Sequence, residues 1–167
     1  MSNRERLRHR KRNIDDVRKA RHNRAKRKKE VMTDDIESIC ERFAEILDAD
    51  SEVTNGVCVA SRVRDLEASI MGRETNSPLV FPQFFSFENF DDEGNTLNLG
   101  ETVILQHEIN PFVERLVEQN IQFTAFHNHW LFDDPRLMYA HFQSIEPPLE
   151  FARKTAKALE VLEDFKR

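Results

Sequence analysis

The spacing of apolar positions changes several times along the chain, and each change marks an element. Ile36, Ile39, Cys40, Phe43, Ile46 and Leu47 recur at i, i+3, i+4 and i+7 behind the acidic cap Thr33-Asp34-Asp35, which predicts a one-sided helix ending near Asp48. Asn55-Gly56 is a turn signal, and residues 57–63 then read as a strand. In 64–78 the alternation of Leu66, Ala68 and Ile70 suits a strand only weakly. Residues 79–87 are apolar and aromatic, but Pro82 argues against a central sheet position unless a bulge absorbs it. Asp91 to Asn95 reads as an exposed loop, and Thr102 to Leu105 as a short strand. His107 to Gln119 reads as a helix, with Pro111 tolerable in its first turn. Ile121 to Trp130 reads as a strand, Asp133-Asp134-Pro135 as a turn, and Leu137 to Gln143 as the hairpin partner. A closing helix after Pro147-Pro148 puts Leu149, Ala152, Ala156, Leu159, Leu162 and Phe165 inside. The expected fold class is α+β: an antiparallel sheet with helices on one face and a ferredoxin-like β-α-β-β-α C-terminal unit.

Charge divides the chain in two. Residues 1–30 carry 14 Lys/Arg against four acidic residues, a charge of +10, so the remaining 137 residues carry −15. Residues 1–31 hold too little apolar material to offset their ordering entropy, so they are expected to be disordered or a solvated helix, with 32–167 as a single α+β domain. The arm suits electrostatic binding to nucleic acid or an acidic partner. No apolar run approaches the roughly 18–20 residues that cross a bilayer, so no membrane contact is expected. No signal-peptide pattern is present, and Cys40 and Cys58 fit two small buried thiols; a reduced cytoplasmic chain is expected.

The chemistry-bearing residues gather in the predicted hairpin. His127 and His129 are two apart and share a strand face. Pairing 127 opposite 141 would bring His141 to the same face, whereas a one-residue slip would send it to the other. Three neutral imidazoles with an open position suit a divalent transition metal: Zn, Ni, Fe or Cu. Glu108, in the first turn of the preceding helix, is the candidate fourth ligand, with His107 in reserve. Asn128, Arg136 and Tyr139 are candidate lining residues for a small-molecule ligand. The competing reading is a wet sheet face on which His and Asn satisfy one another.

In these residues the chain resembles the LppY/LpqO family, a domain-of-unknown-function family named after bacterial lipoproteins. The resemblance rests on Glu108-Ile-Asn-Pro111, Phe123-Thr-Ala-Phe-His127-Asn-His129 and Pro135-Arg-Leu-Met-Tyr139-Ala-His141, three motifs in order over 102–142. It implies a polar site at these positions and no settled activity. Relatives often carry a second His where this chain has Gln143, and many have two copies of the unit and an export signal; this chain has one copy and a basic arm.

Other chemistry is poorly represented. There are only four glycines, with no Gly-rich phosphate loop, no GxSxG and no Cys-His pair at motif spacing. Two function classes therefore stand: a protein with a histidine-lined metal or small-ligand site, or a non-enzymatic interaction module. The second would use its basic arm for nucleic acid or an acidic partner and its sheet, or residues 81–90, for homodimer formation.

Overall fold

The structure is a computed structural model that describes residues 36–163. The basic arm, the Thr33–Asp35 cap and Phe165 lie outside the described residues. Helix α1 covers 36–47 and is followed by strands β1 (Asp50–Thr54) and β2 (Val57–Val63). Asn55 and Gly56 join these strands with φ of 54° and 82°, as a tight two-residue hairpin turn requires. Next come β3 (Ser69–Ile70), β4 (Arg73–Glu74), β5 (Pro82–Glu88) and β6 (Thr96–Leu105). A 3-10 turn, Gln106–Glu108, leads into α2 (Ile109–Glu118), and β7 (Gln122–His127), β8 (Asp133–Asp134), β9 (Leu137–Glu146) and α3 (Pro148–Leu159) complete the order.

Six strands form one antiparallel-paired sheet, β1-β2-β5-β6-β9-β7. Because β9 pairs antiparallel with both β6 and β7, those two run parallel to each other and are joined through α2. This is the split β-α-β arrangement expected of the C-terminal unit, with β5 lying along the outer side of β6. Pro82 does not keep β5 at an edge. The strand is central, and Pro82 is its first residue, where the missing N–H costs no interior ladder bond.

The helices cover one face. Phe85 and Phe87 from β5 and Phe142 from β9 meet Phe43 of α1, Phe112 of α2 and Phe151 of α3, all at most 1 % exposed. In α3 the inner stripe is Phe151, Ala152, Thr155, Ala158 and Leu159, so Phe151 and Thr155 take the places expected of Leu149 and Ala156. Phe142 lies opposite Gly100, where a Cβ would come within 2.2 Å of its ring. The ring is wedged among three others and cannot retreat. Gly100→Ala should therefore cost at least the roughly 1–3 kcal/mol typical of overpacking, measured by urea unfolding, and Phe142→Leu should recover much of it.

Cys40 and Cys58 are not two free thiols. They form a disulfide that ties α1 to β2, with Cα atoms 5.5 Å apart. Such bonds persist mainly in oxidising compartments, so the expectation of a reduced cytoplasmic chain loses its premise. The bond spans 18 residues, and loop-closure entropy over that length is worth about 3 kcal/mol. Full reduction should lower unfolding stability by that amount, and reduced protein matching the oxidised form would contradict it. Among the described residues no helix is long and apolar enough to cross a membrane.

Among the described residues, the other sheet face is covered at one end. There β3, β4 and β8 form a small second sheet, and Ala68, Val80 and Phe81 pack on Val103, Leu105, Leu137 and Tyr139. The candidate site lies at the margin of this cover.

Candidate metal centre

His127 closes β7, His129 follows it, and His141 lies within β9. Strand pairing differs from the expected hairpin by two residues: His127 lies opposite Tyr139, and His141 opposite Ala125. An even slip preserves the face. The device that secures this is a β-bulge at Thr124, because β7 advances two residues from Phe123 to Ala125 while β9 advances one, from Phe142 to His141. Without the extra residue, continuing the Phe123–Phe142 register would turn His127 to the helix-covered side.

The three histidines do come together. One ligand atom from each lies within 4.8 Å of the other two. The rings of His127 and His129 are 5.0 Å apart, and those of His127 and His141 4.9 Å apart, all near-parallel. Nε2 of His141 is buried and has no hydrogen-bond partner. Its Nδ1 faces Glu101 Oε2 at 3.9 Å. The His129 ring stacks on Tyr139 at 3.5 Å. This partial burial holds the His129 imidazole below its ordinary pKa; Glu101 opposes the shift and the two neighbouring imidazoles add to it.

The remaining candidates have other work. Glu108 is 2 % exposed and stands outside the histidine group. Both its oxygens accept from Arg64, at 2.7 and 2.9 Å, and also from the backbone N–H groups of Leu105 and Glu163. Burial raises its pKa, but the Arg64 and backbone hydrogen bonds outweigh that and leave it below the ordinary range. A carboxylate so occupied is a buried ion-pair partner, which corrects its expected place among the ligands. His107 makes an exposed pair with Glu163. Arg136 pairs with the buried carboxylate of Asp133. Asn128 donates to the Trp130 carbonyl and so shapes the turn after β7.

Tyr139 is fully buried against His129, and its hydroxyl is occupied by other partners. It donates to the Val80 carbonyl at 2.7 Å and accepts from Trp130 Nε1. Burial pushes its pKa up to about 12, so it stays protonated.

Glu101 is the site residue that the periodicity did not reveal. Reading β6 only from Thr102 leaves it in a loop; the strand begins at Thr96 and sets Glu101 directly opposite His141. The alternation of buried Asn98, Gly100 and Thr102 carried that signal, but in polar and glycine residues.

A family model, Domain of Unknown Function (DUF1259), matches residues 41–161. The chain belongs to this family. The matched segment holds all three histidines, Glu101 and the Arg64–Glu108 pair, and excludes the basic arm. No curated protein and no solved structure matches the chain.

Proposed function

We propose that this DUF1259 member binds one divalent transition metal through His127, His129 and His141, leaving coordination positions open to a small ligand. The observation that carries the reading is the buried, unpartnered Nε2 of His141 on a ring grouped with two further imidazoles. A buried polar atom without a partner is costly, and an ion would satisfy it. Tetrahedral zinc with Zn–N of ~2.0–2.1 Å needs nitrogens about 3.3 Å apart, so the exposed His127 and His129 rings would rotate inward on binding. The donor set of three imidazoles fits Zn, Ni, Fe or Cu better than Ca or Mg. Glu101, facing the other nitrogen of His141, has the position of a carboxylate that orients a ligating histidine. We assign the chain to the LppY/LpqO type, supported by its three motifs lying inside the family match.

The direct test is elemental analysis after equilibration with Zn or Ni and removal of loosely held ions. About one ion per chain is expected, and less than about a tenth would overturn the reading.

A further inference from the structure

The sheet face that carries the histidines continues beyond the small sheet that partly covers it. Directly opposed residues on neighbouring strands share a face, so His141, Glu101, Phe84 and Ser61 form one row across β9, β6, β5 and β2. In the adjacent row, Gln143 and Leu99 lie opposite one another on β9 and β6. Phe84 and Leu99 are 47 % and 41 % exposed, and both neighbour Glu101: Phe84 across the strand pair, Leu99 two residues along. Scattered exposed apolar residues need no explanation, but these two adjoin a polar centre on a sheet face that no other described element covers there. At ~4.8 Å per strand, Phe84 stands about 10 Å from His141, with the Glu101 carboxylate between them.

Resting on the metal reading, we propose that the site takes an amphiphilic ligand. Its head gives an oxygen donor to the metal and an N–H or O–H to Glu101, and its apolar tail crosses onto Phe84 and Leu99. The carboxylate in the path disfavours a head that keeps a second negative charge beside the metal. A tail of roughly eight carbons spans the distance. Full burial of a methylene is worth about fourfold in affinity; an open face covers one side of the chain, so about twofold per methylene is expected.

Hydroxamic acids supply such a head and are the probe. With metal-loaded protein, octanohydroxamic acid should bind about fiftyfold more tightly than acetohydroxamic acid by calorimetry. Phe84→Ser combined with Leu99→Ser should bring the two within about threefold, with metal content and acetohydroxamate affinity unchanged. Equal affinities in the unsubstituted protein, or a chain-length advantage that survives both substitutions, would overturn the proposal. So would sedimentation showing a dimer that these substitutions dissociate, since a second copy would then occupy the face. Metal content is measured first: a chain that takes up no metal refutes the underlying reading, whereas a loaded chain indifferent to tail length refutes only this one.

Discussion

Glu108→Ala should lower unfolding stability by about 3–5 kcal/mol at neutral pH, the cost of removing one partner of a buried ion pair. Arg64 is 2 % exposed and reaches into the fold to give two short hydrogen bonds to Glu108 and a third to the Val103 carbonyl. With the carboxylate gone the buried guanidinium loses two of its hydrogen bonds, and the N–H groups of Leu105 and Glu163 lose their acceptor. Replacing both partners is a different matter, because the remaining loss is then mainly packing. Arg64→Met with Glu108→Leu should therefore cost clearly less than the sum of the single changes, a coupling of roughly 0.5–3 kcal/mol for residues in contact. The pH dependence has a fixed sign. A folded-state pKa below the unfolded value contributes stability that is present above the unfolded glutamate range and is lost as pH falls through the folded value. Urea midpoints should accordingly fall on acidification in the unsubstituted protein, with a shallower fall in Glu108→Ala. A loss below about 1 kcal/mol in the single variant would mean that Arg64 finds water, and the ion pair would then be incidental.

This pair also shows where sequence reasoning stops. Helical and strand periodicity located α2, β2, β9 and α3 because each buries one apolar stripe or alternating face, whereas β7, also located, buries no residue fully. It also placed His127 with His141, since the parity of a strand survives a two-residue slip; His129, expected on the same strand face, joins them instead from beyond the end of β7. It could not show that Glu108 is consumed by Arg64, because the two are 44 positions apart and meet only through the tertiary fold. A carboxylate in a first helical turn reads equally well as a ligand, a cap or an ion-pair partner. The bulge at Thr124 has no residue signature of its own, yet it determines which way His127 points. Glu101 was hidden because polar residues fill the inner positions of β6: Asn98 and Thr102 are fully buried and hydrogen-bonded, which hydrophobic patterning registers as loop. Cys40 and Cys58 were misjudged for a related reason, since pairing depends on how α1 packs against β2.

His141→Ala should abolish metal uptake, with the affinity falling by more than the 10–100-fold that loss of an orienting partner costs. The expectation singles out His141 because its Nε2 is the buried donor, whereas His127 and His129 are exposed and can reach other ligands or water. In the unsubstituted protein a metal present at about a thousand times its Kd stabilises the fold by about 4.1 kcal/mol, and that gain should vanish in the variant. Glu101→Gln should weaken binding within the 10–100-fold range without abolishing it, because it leaves all three donors in place. Glu108→Gln, although destabilising, should leave metal affinity unchanged wherever the protein is folded, which separates the ion pair from the site. Two results would redirect the argument. If His141→Ala keeps its metal while His127→Ala and His129→Ala lose theirs, the ion is held by a local chelate at the end of β7, and the cross-strand geometry has no part in it. If none of His127→Ala, His129→Ala, His141→Ala and Glu101→Gln changes the thermal response to metal, the histidines are a stacked polar surface on Tyr139. Only the combination of a dominant His141 and a weaker Glu101 effect matches the cross-strand site, in which the bulge turns His127 to the face of His141.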